Sequence, residues 1–522
     1  MKVEAGYQVR LAAESHQSTT AVECGAYTAS FEEFNVRANR LGSGLLRLGA
    51  KRGDRVGVLA YNTPELLATW FACEKHNLVR VVLHSHFGMD DHAWSLDHVG
   101  ATVLVFDTRF NDAVDAVRGA LSTVHAFVAI GPDAPEWATP IADVESAGEP
   151  ADPFLSIDET APCFLQLTSG TTGRPKPWIK TYRSWQAVID HNMNHLDDFG
   201  PGSRVIGPDD VNVHFHPLQW ASGFQTLYPY YIRGARSVLV DDETFDPERL
   251  IDVFVAEGAT GTFMPGPLLV PVLDAVEARG GIPHQLRRMV VFFGTADLLA
   301  RTTRVLGPCW CHGFGSTEQG AVTTRLLPHD IEGHPERIES VGRVGSPFLE
   351  TAIVAADGQR LPAGELGEIV VRSAMSEGAY WGMPETTAAA FLADDWFRPS
   401  DVGYMDDDGF VYYADRAGDV IQTSVGTVFP HLVEASVMAH DAVAICGVVG
   451  IGDEPEVVCV VVLKAGQGGG GAVESEILAL ALQPVAGLGC EVRVRIVAEV
   501  PTVLGGAKVQ RQALRAQLMS TG

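Results

Sequence analysis

Hydroxyls, glycines and one lysine are concentrated in the stretch Leu167-Thr168-Ser169-Gly170-Thr171-Thr172-Gly173-Arg174-Pro175-Lys176. A bound polyphosphate requires this chemistry: glycines let the backbone approach, peptide N–H and Ser/Thr hydroxyl groups donate, and an ammonium offsets charge. The competing reading is a surface turn of small polar residues. The spacing is not that of the GxxxxGK[ST] phosphate loop, because no Ser or Thr follows the lysine, so a kinase-like or GTPase-like site is disfavoured.

Two further segments tip the balance. Gly313-Phe314-Gly315-Ser316-Thr317-Glu318 lies far downstream, and Trp396-Phe397-Arg398-Pro399-Ser400-Asp401-Val402-Gly403-Tyr404 follows, with Asp415-Arg416 behind it. In this order the three segments resemble the motif series of the adenylate-forming superfamily, which includes acyl- and aryl-CoA ligases, luciferases and peptide-synthetase adenylation domains. The resemblance covers nearly the whole chain. It implies an ATP- and Mg²⁺-dependent enzyme that activates an acid as its AMP ester.

By that resemblance, Thr168, Ser169, Gly170, Thr171, Thr172, Gly173 and Lys176 hold the β- and γ-phosphates, and Glu318 helps bind Mg²⁺, a hard cation suited to oxygen ligands. Thr317 contacts the α-phosphate. Asp401 accepts from the ribose hydroxyls, against the bland alternative of a turn aspartate, and Arg416 adds a ribose or phosphate contact. Gly294, Thr295 and Ala296 run along the adenine and the acyl pocket, while Phe314 and Gly315 lie near adenine. Lys508, in Gly505-Gly506-Ala507-Lys508-Val509-Gln510-Arg511, matches the family's C-terminal lysine, whose ammonium would stabilise transition-state charge. Candidate pocket residues are His214, Phe215, His216, Trp220, Ser222, Gly223, Phe224 and Phe293, a ring-rich set that fits a flat aromatic acid better than an alkyl chain.

Departures from the family pattern concentrate on the second half-reaction. Pro177 replaces a glycine after Lys176 and removes an N–H donor. Trp220 stands where many relatives carry His or another aromatic, and Gly418 stands at the usual hinge Asp or Lys. Val425, with Gly426 next to it, aligns with a glycine that lines the pantetheine tunnel in relatives. Pro399-Ser400 replaces Thr-Gly before Asp401. The leading expectation is transfer of the activated acid to CoA. The alternatives are a carrier protein or an amine as acceptor, including a diazotase that activates nitrite for reaction with an arylamine, and, from another class, a retired enzyme that senses nucleotide.

These residues must be carried by a large scaffold. The 522 residues exceed one hydrophobic core and imply several subdomains. Strand-like runs alternate with amphipathic stretches, as in Arg55 to Ala60, Pro64 to Lys75 and Val79 to Leu83, and this βα alternation predicts parallel sheets covered by helices. The acidic, Pro-rich stretch Gly131 to Asp158 reads as a connection between subdomains. Short strands and Gly/Asp turns from Leu366 to Tyr413 predict a β-rich subdomain. The expected class is α/β: a large N-terminal domain (1–415) of helix-covered sheets plus that β-rich subdomain, and a small mobile α+β C-terminal domain (416–522) carrying Lys508.

A formal charge of -27 opposes nucleic-acid binding. No apolar run reaches membrane-helix length and the N-terminus lacks a secretory apolar segment, so the expected location is cytoplasmic. The eight cysteines are then expected reduced. Cys309-Trp310-Cys311-His312 reads as a buried strand rather than a zinc site, for want of a second ligand pair.

Overall fold

The computed structural model describes residues 1–168, 174–200, 202–320, 322–503 and 508–521. Among them, strands form a seven-stranded sheet, an eight-stranded sheet, a four-stranded sheet and a three-stranded sheet, with small two-stranded ladders beside them.

The seven-stranded sheet is built on Arg55–Leu59, Val79–Val82, Ala101–Asp107 and Pro162–Thr168, which run parallel. Lys176–Thr181 pairs antiparallel on its edge. The eight-stranded sheet has a parallel centre of Val211–His214, Arg236–Leu239, Gly261–Pro265, Arg288–Phe292 and Trp310–Phe314. Their apolar, β-branched runs suit burial on both faces, and helices such as Pro64–His76 and Ala296–Leu306 supply the cover. Thr63 and Thr295 cap those two helices through their hydroxyls, satisfying N–H groups that a helix start leaves unpaired. The Cys309 to His312 segment is buried and mostly strand, and the Cys311 thiol lies 3.4 Å from His195 Nε2.

The stretch from Gly131 to Asp158 is not a mere connection. Thr139–Pro140 joins the edge of the seven-stranded sheet, Ile141–Ala147 is helical, and Ser156–Asp158 pairs with the N-terminal strand Lys2–Glu4. Ile141, Val144 and Ile157 within it are buried and fix it in place.

The four-stranded antiparallel sheet comprises Leu349–Val354, Gly367–Ser373, Phe397–Met405 and Val411–Arg416. Beyond Arg416 the C-terminal region has its own core, formed by Val443–Ile451, Glu456–Leu463 and Val492–Val497 with helices Pro430–Met438 and Gly471–Leu482. Among the described residues no helix is long and apolar enough to cross a membrane.

Candidate active site

Parallel strands present all their carboxyl ends on one side of a sheet, and crevices form there. Thr168 ends the strand Pro162–Thr168, and His84 lies just past Val79–Val82. In the other large sheet, His216, Phe293 and Gly315 follow Val211–His214, Arg288–Phe292 and Trp310–Phe314. Two amides lock these ends together. Asn62 Nδ2 donates to the carbonyls of His214 and His216 at 3.2 and 3.0 Å, and Gln166 Nε2 donates to Gln219 O at 2.6 Å. These bonds hold the carboxyl ends of strands from the two large sheets beside one another.

At the ends of the candidate phosphate loop, Thr168 and Lys176 are paired across the antiparallel edge, and Thr168 Oγ1 donates to Lys176 O at 3.3 Å. Ser169 to Gly173 lie outside the described residues. The Lys176 ammonium sits 5.7 Å from the ring centre of Tyr380, whose hydroxyl donates to Glu318 Oε1 at 2.8 Å. Burial beside Glu318 pushes the Tyr380 phenol pKa upward, so it stays protonated and donating. Backbone bonds hold Tyr380 there: Ile179 N–H reaches Ala379 O and Trp381 N–H reaches Pro177 O. Pro177 lacks an N–H, yet its carbonyl does this work.

Lys180, on the same strand as Lys176, is fully buried and donates to the carbonyls of Glu318 (3.1 Å) and Met375 (2.5 Å). Burial lowers its pKa to about 7. Either protonation state retains N–H groups for both carbonyls. Thr317 and Glu318 belong to the turn that this lysine pins, and Gly320 N–H closes the turn on Thr317 O at 3.3 Å.

Asp401 is not in a turn. It lies inside the strand Phe397–Met405, opposite Ile369 and Arg416, and is 3% exposed. Alternation along a half-buried strand, rather than the local Pro-Ser-Asp spelling, decides its orientation. Arg416 Nε lies 3.0 Å from Asp401 Oδ1, and Arg416 Nη1 donates to Pro399 O at 2.7 Å. The Asp401 carboxylate holds the Arg416 guanidinium above its ordinary pKa. Ser400 adopts a left-handed backbone, φ +64°, a conformation glycine reaches without cost. Phe314 contacts Tyr413 at 5.7 Å between ring centres, and Tyr413 contacts His431 at 5.2 Å.

In the candidate pocket, Trp220 immediately precedes the helix Ala221–Ile232 and touches the His84 ring at 4.3 Å. His216 packs on Phe263 and Phe215 on Phe245. Burial lowers the pKa of both His214 and His216 to about 3, so both are neutral near pH 7. Gly223 is a packing glycine: a Cβ there would sit 2.7 Å from Pro217 O. Phe293 is held at φ +59° and is 52% exposed, an uncommon state for an aromatic and a marker of functional constraint. Gly294 packs beneath it against Leu299 and Val291, and Thr295 and Ala296 open the next helix.

Phe224 does not join this group. It is buried against Trp70, Trp185 and the Arg80 guanidinium, because its position on the helix faces the core rather than the strand ends. Lys508 is in the short strand Lys508–Val509, paired with Thr502–Val503 in the C-terminal region. Three residues on, Arg511 binds Asp415, Asp419 and Glu434 at 3.1, 2.8 and 2.6 Å, tying that segment to the end of the four-stranded sheet.

The model of the AMP-binding enzyme family matches residues 9–404, and the model of the AMP-binding enzyme C-terminal domain matches residues 432–504. The chain belongs to the AMP-binding enzyme family. It is an adenylate-forming ligase. The long-chain-fatty-acid–CoA ligase of Thermus thermophilus is 30% identical over 435 residues, 81% of this chain and 78% of that protein. The feruloyl-CoA synthase of an Amycolatopsis species is 30% identical over 440 residues, 83% of each chain. Among solved structures, an anthranilate CoA ligase in complex with anthranoyl-AMP superposes with a TM-score of 0.89 over 99% of this chain and 98% of that one, at 22% identity, a likeness of fold.

Sequence reasoning passed over Tyr380 and His84 as parts of the AMP-binding enzyme's crevice. Tyr380 carried a weak local signal, a Gly-Ala-Tyr-Trp run between polar stretches. His84 was one of several histidines between Leu83 and His98, and spacing alone gave no reason to single it out.

Proposed function

We propose that this AMP-binding enzyme activates a small aromatic acid with ATP and passes the acyl group to CoA. The observation that carries the reading is the convergence of Lys176, Tyr380 and Glu318 at the exit of the phosphate loop. In the reaction, a carboxylate oxygen attacks the α-phosphorus of ATP and the bond to pyrophosphate breaks. A thiolate then attacks the acyl carbon and AMP leaves. Lys176 with the loop Thr168 to Gly173 would hold the β- and γ-phosphates, Thr317 the α-phosphate, Asp401 and Arg416 the ribose, and Phe314 the adenine. Gly294, Thr295 and Ala296 would line the adenine and acyl sites.

Glu318 is a hard oxygen donor held in place by Tyr380 and the Lys180-pinned turn, and it fits a magnesium ion shared with phosphate oxygens. When bound, that ion would offset phosphate charge. Among the described residues no cluster of three or more His, Cys, Asp or Glu is placed to hold a metal by itself. Lys508 would stabilise the charge between leaving and attacking oxygens. We place the division between the adenylation domain and the lysine-bearing domain at residues 415 and 416, where the four-stranded sheet ends.

Relatives at equal identity act on fatty and on aromatic acids by name, so the pocket decides the class. The rings of Trp220, His84, Phe87, His216 and Phe263 support a flat aromatic acid. A second reading keeps the adenylation and changes the acceptor to an arylamine, with nitrite or a carboxylate activated. It rests on Val425, a β-branched residue, 51% exposed, beside the hairpin Ile421–Thr423 and Gly426–Val428, at the position aligned with a tunnel glycine.

The deciding experiment measures ATP-dependent pyrophosphate release with a panel of aryl acids and with nitrite, each alone, with CoA and with an arylamine. Aryl-acid turnover that yields a thioester supports the first reading. CoA-independent turnover of nitrite and arylamine overturns it in favour of the second, and pyrophosphate release with no acid overturns both.

A further inference from the structure

His84 and Trp220, two rings in contact near the strand ends, each carry a buried polar atom without a partner among the described residues. His84 is 1% exposed, and its Nε2 lies 3.0 Å from Leu167 O. A carbonyl only accepts, so Nε2 carries the hydrogen and the other ring nitrogen, Nδ1, is left with a lone pair. Burial lowers the pKa of this imidazole to about 3, which keeps it neutral. Nδ1 is buried with no hydrogen-bond partner among the described residues. The indole in contact with it, Trp220, has the opposite deficit: its Nε1–H is a donor, likewise buried and unpartnered. Ser85 Oγ, His216 Nδ1 and Gln219 Oε1, from the same two segments, share this state. Buried polar groups in folded proteins are overwhelmingly paired, and a group of exceptions at one place calls for a reason.

We propose that His84 and Trp220 form a subsite for a ring substituent that both donates and accepts a hydrogen bond, an amino or hydroxyl group on the aromatic substrate. This inference rests on the acyl-pocket reading above and narrows it to aminoaryl or hydroxyaryl compounds. His84 lies two residues past a strand of one sheet and Trp220 in the loop after a strand of the other, so the pair joins the two sheets' strand ends. Leu167, which anchors His84, immediately precedes the phosphate-loop residue Thr168. The substituent would therefore be read beside the place where the acid is activated. An unsubstituted ring would leave both atoms unpaired, and a site that leaves polar groups unpaired discriminates strongly against the analogue lacking them.

The test measures binding calorimetrically on the full-length protein, with benzoate, the three aminobenzoates and the three hydroxybenzoates. Pyrophosphate release is followed in the same samples as the separate test of the activation reading. At least one amino or hydroxy isomer is expected to bind about 10-fold or more tightly than benzoate, the scale of one or two hydrogen bonds. That ratio is expected to fall toward unity in Trp220→Phe and in His84→Phe. Equal affinity for benzoate and every isomer, or variants that weaken all ligands alike while the preference survives, would overturn the subsite. Binding preference without pyrophosphate release would leave the subsite standing and remove the reading that the enzyme activates these aromatic acids.

Discussion

At the scale of single residues, three histidines near the strand ends of the proposed active site ordinarily ionise but here are kept neutral by burial. His84, His214 and His216 all have pKa values lowered to about 3. An unfolded histidine takes up its proton near pH 6.5 while these folded ones do not, so the unfolded chain binds more protons between about pH 3 and 6.5. Their contribution to stability is present above that window and is lost as pH falls through it. In denaturant titrations, wild-type stability relative to His214→Gln is expected to fall by about 1 kcal/mol between pH 7.5 and 5.5, from about 1.4 kcal/mol per unit of full protonation difference. A pH-independent difference would show that His214 is already charged in the fold.

At the scale of elements, two strands carry most of the proposed nucleotide chemistry. Lys176–Thr181 bears both Lys176 and Lys180, one aimed at Tyr380 and one pinning the Glu318 turn. Phe397–Met405 bears Asp401, and just before it Ser400 departs from ordinary strand geometry at φ +64°. That conformation costs an L-residue about 1 to 2 kcal/mol, of which glycine's unfolded-state entropy would return about 0.5 to 1. Ser400→Gly is therefore expected to stabilise the protein by about 0.5 to 1 kcal/mol in urea or thermal unfolding. A neutral or destabilising result would mean that the serine side chain compensates for its backbone.

At the scale of the whole molecule, the C-terminal region carries Lys508 and Val425, the residues proposed to act in the two half-reactions. Lys508→Ala is expected to lower the rate of adenylate formation by about 10² or more, with ATP affinity little changed, as for loss of a preorganised charge. Parallel loss of ATP binding would make the lysine structural. Val425→Gly is expected to raise thioester formation from CoA while leaving pyrophosphate release nearly unchanged. A wild-type enzyme that already forms the thioester rapidly would show that this side chain obstructs nothing. Arg511 joins these regions through Asp415, Asp419 and Glu434, so the position of the lysine-bearing segment is set by a partly buried ionic network as well as by apolar packing.

The sequence by itself determined the family, the alternation of strand and helix, and the motif residues Lys176, Glu318, Asp401 and Arg416, because each depends on short-range spelling or on hydrophobic period. Strands read at Arg55, Val79 and Ala101 form where their β-branched runs predict. Only the tertiary structure decided that Asp401 lies within a strand, that the stretch from Gly131 to Asp158 completes two sheets, and that Phe224 turns into the core against Arg80. It alone joined Tyr380 to Glu318, 62 residues apart, and His84 to Trp220. Such contacts form between segments distant in the chain, where side-chain direction is set by packing against other elements, and no local pattern carries that information.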